Sequence, residues 1–402
     1  MTNHTHYAQL INEKRTTTVT AFPKTSKNLS RRGFIGASAL APAALMLQAG
    51  EAHAAASTRA QLAAVHSGSP AHQLLYKTDE FFIAHRGAGN ISPEHTAYAY
   101  AESVRRGALA VEISVRTTSD GQFVCMHDTN IKRTTGASMD VRGHTLAELR
   151  QHKVDMRQNL GEKTGLYDIP TLEEAIAAVD AVPAGGEYAS VGGKKVVLFL
   201  EAKDGPAQAG LVKFITDRGL QRRTVIKMYR DGSGGFKPTS RYLKLANSAG
   251  CATWCYFDGG DPIDKISAMA RHENVDAIGV PYYEKPTGAS QGSMSEENVR
   301  ALTGLGKAVI VWEIHRRSAY EKYKALGVKG FMCPDPYWVI GDPFDSSVKI
   351  KTGKRPHGML PADPSVAADM PDLTGAAIVH NQRYDESVLL GPLANYTTRE
   401  KY

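Results

Sequence analysis

From about residue 80 to about residue 340, short apolar runs rich in β-type residues alternate with helical segments that carry their own start and stop signals. No other feature of the chain constrains its fold as much. The β-type runs fit 81–84, 109–115, 123–127, 196–202, 224–228, 251–256, 277–280, 308–313 and 330–333. Ser92-Pro93 ahead of Glu94 supplies an N-cap and a proline at a first helical position, and Gly107 closes that helix after Arg105-Arg106. Pro170-Thr171-Leu-Glu-Glu174 is a capping box that opens a helix through Ala181. Gly219, Gly250, Gly306 and Gly327 follow later helical segments.

That list holds one strand too many for an eight-stranded barrel. Only Arg116 to Gln122 separate the second run from the third, and they contain Asp120-Gly121. A parallel crossover needs about a dozen residues or more, whereas Asp-Gly marks a hairpin. The two runs therefore pair as a hairpin, with Ser114 opposite His127 if Asp120 and Gly121 are the central turn residues. What remains is eight parallel strands over roughly 260 residues, a (β/α)8 TIM-type barrel of the α/β class. The competing architecture is an open doubly wound sheet, but no glycine-rich phosphate fingerprint follows the first strand.

The flanks read differently. Residues 1–29 are polar and aperiodic, which predicts disorder. Ser30-Arg31-Arg32-Gly33-Phe34-Ile35 is followed by an apolar run from Ala37 to Leu47 and by a small-x-small site, Ala52-His53-Ala54. That order is a secretory signal over 1–54, and its paired arginines resemble a twin-arginine signal. The apolar run is well short of the 18 or so residues that span a bilayer, so no stable membrane span is expected. The expected destination is the periplasm or the exterior, with the twin-arginine machinery as partner. Residues 55–79 form an N-terminal extension with one helical piece, 80–340 the barrel, and 341–402 an irregular tail packed on it, with a short strand at Ala377–Val379.

Of the 402 residues, 42% are hydrophobic and 22% charged, as in a globular protein with a sizeable core. The net charge of +7 suits an anionic substrate, but positive and negative residues are interspersed and no basic run or aromatic-basic pattern points to nucleic acid. Cys251 and Cys255 share one strand, where four residues set their Cα atoms about 13 Å apart, too far for a disulfide. All four cysteines sit in apolar runs and read as core thiols.

Chemistry collects at the strand ends. His85 and Arg86 follow the first run, Glu112 and Ser114 lie in the second, His127-Asp128 end the third, and Glu201 and Lys203 end the fourth. In a barrel of this type the active site lies where the strands pass into their following loops. Two histidines facing a phosphate suit phosphodiester cleavage, one attacking or activating water and the other protonating the leaving alcohol. Nearby carboxylates suit Mg²⁺ or Ca²⁺. Arg86 and Lys203 supply fixed positive charge for the phosphate oxygens.

These residues resemble the glycerophosphodiester phosphodiesterase family. The resemblance rests on an ordered set over roughly residues 80–340. It begins with His85-Arg86-Gly87, Pro93-Glu94-His95-Thr96, Val111-Glu112, Thr118-Ser-Asp120-Gly121, His127-Asp128 and Arg133-Thr134-Thr135. It continues through Thr145-Leu-Ala-Glu-Leu149, Ile169-Pro170-Thr171-Leu172, Leu200-Glu201-Ala-Lys203, Trp312 and the Gly327–Pro336 segment. It implies hydrolysis of a glycerophosphodiester to an alcohol and glycerol 3-phosphate, with His85 and His127 as the acid/base pair. It also implies Glu112 and Glu201 as ligands of Mg²⁺ or Ca²⁺, Arg86 and Lys203 on the phosphate, and Trp312 in the pocket wall. The sequence departs from the family pattern at Ser114, where a third metal carboxylate is expected, at His95 in place of Asn, and at Glu313 and His315 after Trp312. Two other functions remain open: a phospholipase D-like enzyme that forms a cyclic phosphate, and a catalytically inactive barrel that binds phosphodiesters.

Overall fold

The computed structural model describes residues 68–89, 92–160, 164–185, 191–283, 292–314 and 317–334, together with 336 and 339. The expected signal segment over 1–54, the whole 341–402 tail with the strand expected at Ala377–Val379, and His315 lie outside the described residues.

Eight strands close a parallel ring: β1 (Phe81–Ala84), β2 (Ala110–Thr117), β4 (Val197–Ala202), β5 (Thr224–Tyr229), β6 (Ala252–Tyr256), β7 (Ala277–Pro281), β8 (Ala308–Trp312) and β9 (Gly330–Cys333). β1 pairs with β9 on one side and β2 on the other, which closes the barrel. β3 (Phe123–Cys125) stands outside the ring, antiparallel to β2. The crossovers carry α1 (Ala97–Arg105), α2 (Leu172–Asp180), α3 (Gln208–Asp217), α4 (Arg241–Ser248), α5 (Ile263–Arg271), α6 (Glu296–Thr303) and α7 (Arg317–Ala325). Thr171 and Glu174 form the expected capping box at the start of α2.

Two expectations need correction. The hairpin is one residue out of the expected register, because its loop has five residues rather than two. Thr118 closes it by accepting the Gln122 amide on its hydroxyl at 2.9 Å and donating its own amide to the Gln122 carbonyl at 3.0 Å. Val115 therefore pairs with Cys125, and the Ser114 carbonyl accepts the Met126 amide, so Met126 rather than His127 lies opposite Ser114. The second correction concerns the first helix, which begins at Ala97 under a Thr96 cap, not at Pro93. Glu94 is drawn into a buried ion pair with Arg86 and Arg133, and His95 takes a left-handed backbone (φ +57°), so the helix cannot start there.

The barrel's inner layer explains where the site can be. Phe81, Ile83, Ala110, Phe199, Val225, Trp254, Ile310 and Met332 form one interior cluster, and Leu74 and Leu75 from the segment before β1 pack against it. Trp254 meets Phe199 edge-on at 5.7 Å between ring centroids. Gly279 makes room for this, because a Cβ there would lie 2.6 Å from the Trp254 indole nitrogen. A second, larger cluster fills the layer between strands and helices. The hairpin and the segment to Ile169 have a small core of their own around Met126, Ile131, Leu149 and Met156. All four cysteines are buried and free.

Candidate active site

Side chains two apart on a strand share a face. Stepping two residues along the inward face of each strand leads out of the apolar layer: Ile83 to His85, Ala110 to Glu112 and Ser114, Phe199 to Glu201 and Lys203, and Val225 to Lys227 and Tyr229. Those polar side chains meet at the barrel mouth.

Their centre is Lys227. Its ammonium lies 3.1 Å from Glu112 Oε1 and 2.9 Å from Glu201 Oε2. Ser114 Oγ donates to Glu112 Oε1 at 2.8 Å, and the Arg86 amide donates to Glu112 Oε2 at 3.1 Å. Tyr256 donates its hydroxyl to Glu201 Oε1 at 2.6 Å, and Lys203 Nζ lies 3.0 Å from Glu201 Oε2. Burial alone would raise both carboxyls, but Lys227 and its neighbours outweigh it and hold Glu112 and Glu201 at about 2. The same balance, read from the other side, keeps Lys227 protonated well above the ordinary lysine range.

His85 is buried, with Nδ1 3.2 Å from Glu313 Oε1 and Nε2 4.0 Å from Glu112 Oε2. Burial, then the charges of Arg86 and Lys227, lower its pKa well below the usual value, and burial lifts Glu313 to about 7. His127 reaches the same cavity from the hairpin side. Its Nδ1 lies 2.8 Å from Asp128 Oδ1, and Arg133 clamps the far oxygen of Asp128 at 2.7 Å. Burial and then Arg86 and Lys203 lower His127 as well. Arg133 also forks onto both oxygens of Glu94 at 2.6 and 2.7 Å, and this ties the hairpin segment to the loop after β1. Arg116 donates to the His127 carbonyl at 3.0 Å and to Asp204 at 3.0 Å, fixing the other side of that histidine.

A cavity of about 310 Å³ opens above these groups. His85, His127, Lys203, Lys227, Trp312 and Glu313 line it, with Tyr229, Tyr256, Tyr283, Asp258 and Met332. The structure therefore brings His85, His127, Lys203 and Trp312 together around one cavity. Glu112 and Glu201 lie behind the two lysines and do not line the cavity. Arg86 does not line it either: its guanidinium reaches Glu94 at 3.3 Å, and its backbone is left-handed (φ +56°), aiming its amide at Glu112. Gly87 beside it must be glycine, since φ is +74° and a Cβ would lie 2.9 Å from Ala99 Cβ. His95 is buried with Nδ1 2.5 Å from the Tyr100 hydroxyl and burial holds it at about 4.

Sequence reasoning missed Lys227, Tyr256 and Glu313 as members of the site. The signal for Lys227 was present: a lone lysine in Thr224-Val-Ile-Lys-Met-Tyr229, two residues past an inward valine. Its partners come from strands over a hundred residues away in one case, which no local pattern reveals.

Mg²⁺ and Ca²⁺ are held by six or more oxygens. Here every oxygen of Glu112 and Glu201 already faces a donor or an ammonium group, and Ser114 brings a hydroxyl that donates to Glu112. Among the described residues no group of three His, Cys, Asp or Glu side chains is arranged to hold a metal. The donor set as built does not fit the ion.

A profile of the glycerophosphoryl diester phosphodiesterase family matches residues 85–225. The glycerophosphodiester phosphodiesterase of Caldanaerobacter subterraneus is 25% identical over 264 residues, 64% of this chain and 95% of that protein. The glycerophosphodiester phosphodiesterase of Bacillus subtilis is 35% identical over 103 residues, 23% of this chain and 34% of that one. Residues 85–225 thus carry the sequence pattern of the glycerophosphoryl diester phosphodiesterase family. Among solved structures, an Oleispira antarctica phosphodiesterase in complex with its product sn-glycerol-3-phosphate superposes with a TM-score of 0.50. It is 19% identical and covers 64% of this chain and 94% of that one, a likeness of fold. Enzymes of that family generally depend on a divalent cation, whereas here an ammonium group lies between the two carboxylates expected to hold one.

Proposed function

We propose that the protein is an exported phosphodiesterase that hydrolyses glycerophosphodiesters to an alcohol and glycerol 3-phosphate, with His85 and His127 as its acid/base pair. One observation carries this reading: two histidines line a single cavity, each with a carboxylate on Nδ1, beside two ammonium groups. Asp128 hydrogen-bonds Nδ1 of His127, and Glu313 stands 3.2 Å from Nδ1 of His85; a negative charge there favours the ring proton on Nδ1 and leaves Nε2 to act toward the cavity. A phosphodiester seated between them meets Lys203 and Lys227, which offset its charge and the charge that builds on its oxygens. One histidine takes a proton from the attacking water as the new P–O bond forms. The other gives a proton to the alcohol oxygen as the old P–O bond breaks, and proton exchange with solvent restores the pair. Both histidines are neutral in the free protein, and the arriving anion raises their proton affinity, so binding itself readies the acid.

The test is turnover of a panel of glycerophosphodiesters, followed as glycerol 3-phosphate released and by phosphorus NMR. Open-chain glycerol 3-phosphate supports the proposal. A cyclic phosphate would instead show attack by the substrate's own hydroxyl, and no product at all would leave a binding barrel. Export rests on Arg31-Arg32 and the apolar run after them. Replacing both arginines by lysine should hold the protein in the cytoplasm, and unchanged fractionation would sink the export reading.

A further inference from the structure

We propose that in this chain the Lys227 ammonium takes the place of the divalent cation, so that phosphodiester cleavage here needs no metal. The inference rests on the phosphodiesterase reading above and concerns how its phosphate charge is met.

Three observations carry it. The first is position. Lys227 Nζ lies between the two carboxylates expected to be ligands, 3.1 Å from Glu112 and 2.9 Å from Glu201. The second is charge order. Both lysines line the cavity and both glutamates stand behind them, so an entering anion faces ammonium groups whose own counter-charges are buried at the rear. Charges of the two signs already cancel within this cluster. A divalent ion added to it would leave two uncompensated positive charges at a site where Glu112 is fully buried and Glu201 nearly so. The third is the donor set. Ser114 cannot add a carboxylate, and its hydroxyl and the Tyr256 hydroxyl are spent on Glu112 and Glu201. A cation could reach those oxygens only by expelling Lys227 into the cavity. The rings of Tyr256 and Trp254, 5.2 and 5.6 Å from the ammonium, hold it on its inner side.

A lysine so placed differs from a metal in what it can do. It is a monovalent donor of hydrogen bonds. It neutralises phosphate charge without lowering the pKa of a bound water, so activation of the nucleophile falls to the histidines alone.

Two measurements on the full chain test this. The first is turnover of glycerophosphoethanolamine in excess EDTA, and again with Mg²⁺ or Ca²⁺ added. Equal rates are expected; a rate that chelator abolishes and metal restores overturns the proposal while leaving the phosphodiesterase reading intact. The second is calorimetric titration of Mg²⁺ and Ca²⁺, which stays decisive even if no glycerophosphodiester is turned over and the functional reading fails. The parent should show no saturable binding, and the double variant Lys227→Ala with Ser114→Asp should gain it. Saturable binding by the parent overturns the proposal. Lys227→Met should lower kcat by about 10²–10³-fold, with added metal giving no recovery, and Lys227→Arg should recover part of it under chelator. An unchanged melting temperature in Lys227→Arg separates this from misfolding, and equal activity of the Met and Arg variants overturns the role.

Discussion

The floor and the mouth of this barrel are built by the same strands, yet they obey different energetics. Phe199 and Val225 lie in the apolar floor, and two residues further along each strand stand Glu201 and Lys227. On the floor, side chains are stabilised by leaving water, and each contribution is local and roughly additive. At the mouth, equally buried side chains carry charge, and each is tolerable only because its neighbours are present. The floor is therefore where the protein is held together, and the mouth is where it is poised to act.

The sharpest way to break that comparison is through the histidines. His85→Ala and His127→Ala should each lower kcat by about 10²–10⁴-fold while the protein stays folded. The effects should not add, because the two act in one proton circuit. A rate assay alongside thermal melting checks this; a histidine variant with near-parental kcat would remove that residue from the chemistry.

Trp254→Ala is the counterpart on the floor. It should cost about 3–5 kcal/mol of stability, measured by denaturant unfolding, because a large aromatic leaves a cavity beneath Phe199. Its KM should change only modestly, since Trp254 does not line the cavity and meets the site only through its ring, 5.6 Å from the Lys227 ammonium. A large KM change with small loss of stability would show that floor and mouth are coupled.

The third test uses the charge cluster itself. Glu112→Gln and Lys227→Met should each destabilise, and the double variant should lose less than the two together, with a coupling of up to about 3 kcal/mol. A paired floor change such as Val225→Ala with Ile310→Ala should show coupling well under that if the contrast is right. Equal coupling in both regions would erase the distinction.

The two regions also differ in how far the sequence exposed them. The floor and the strand count follow from local signals: alternation along strands, caps such as Thr171 with Glu174, and the short Arg116–Gln122 gap. His85 and His127 stood out for the same reason, because each ends an apolar run. The wiring of the mouth is not local. Lys227 joins Glu112 across 115 residues, and Glu313 reaches His85 from the end of another strand. The Ser92-Pro93 helix start failed because Glu94 was needed in a buried ion pair, an interaction made by Arg133 from the far side of the hairpin. Propensity proposes and the site overrides it.

The smallest effect concerns Glu313, a carboxyl at the mouth whose burial outweighs the charges of Arg86 and Lys227 and lifts it to about 7 from the usual 4.5. A carboxyl raised in the folded state binds its proton more tightly there than in the unfolded chain. Stability should thus be full at and below about pH 4.5, fall as pH rises toward 7, and level off above it, by an amount on the order of 1–3 kcal/mol. Glu313→Gln has no such proton to lose, so melting temperature against pH should flatten over that window relative to the parent. The rate should respond in the opposite direction. An ionised Glu313, 3.2 Å from His85 Nδ1, draws the ring proton electrostatically to that nitrogen and leaves Nε2 free, whereas a protonated Glu313 no longer exerts that pull. Parental kcat/KM should consequently have a limb near pH 7 that is weakened in Glu313→Gln, since an amide can serve either tautomer. If the two enzymes instead show superimposable pH profiles in both stability and rate, Glu313 belongs to the floor's kind of residue and not to the mouth's.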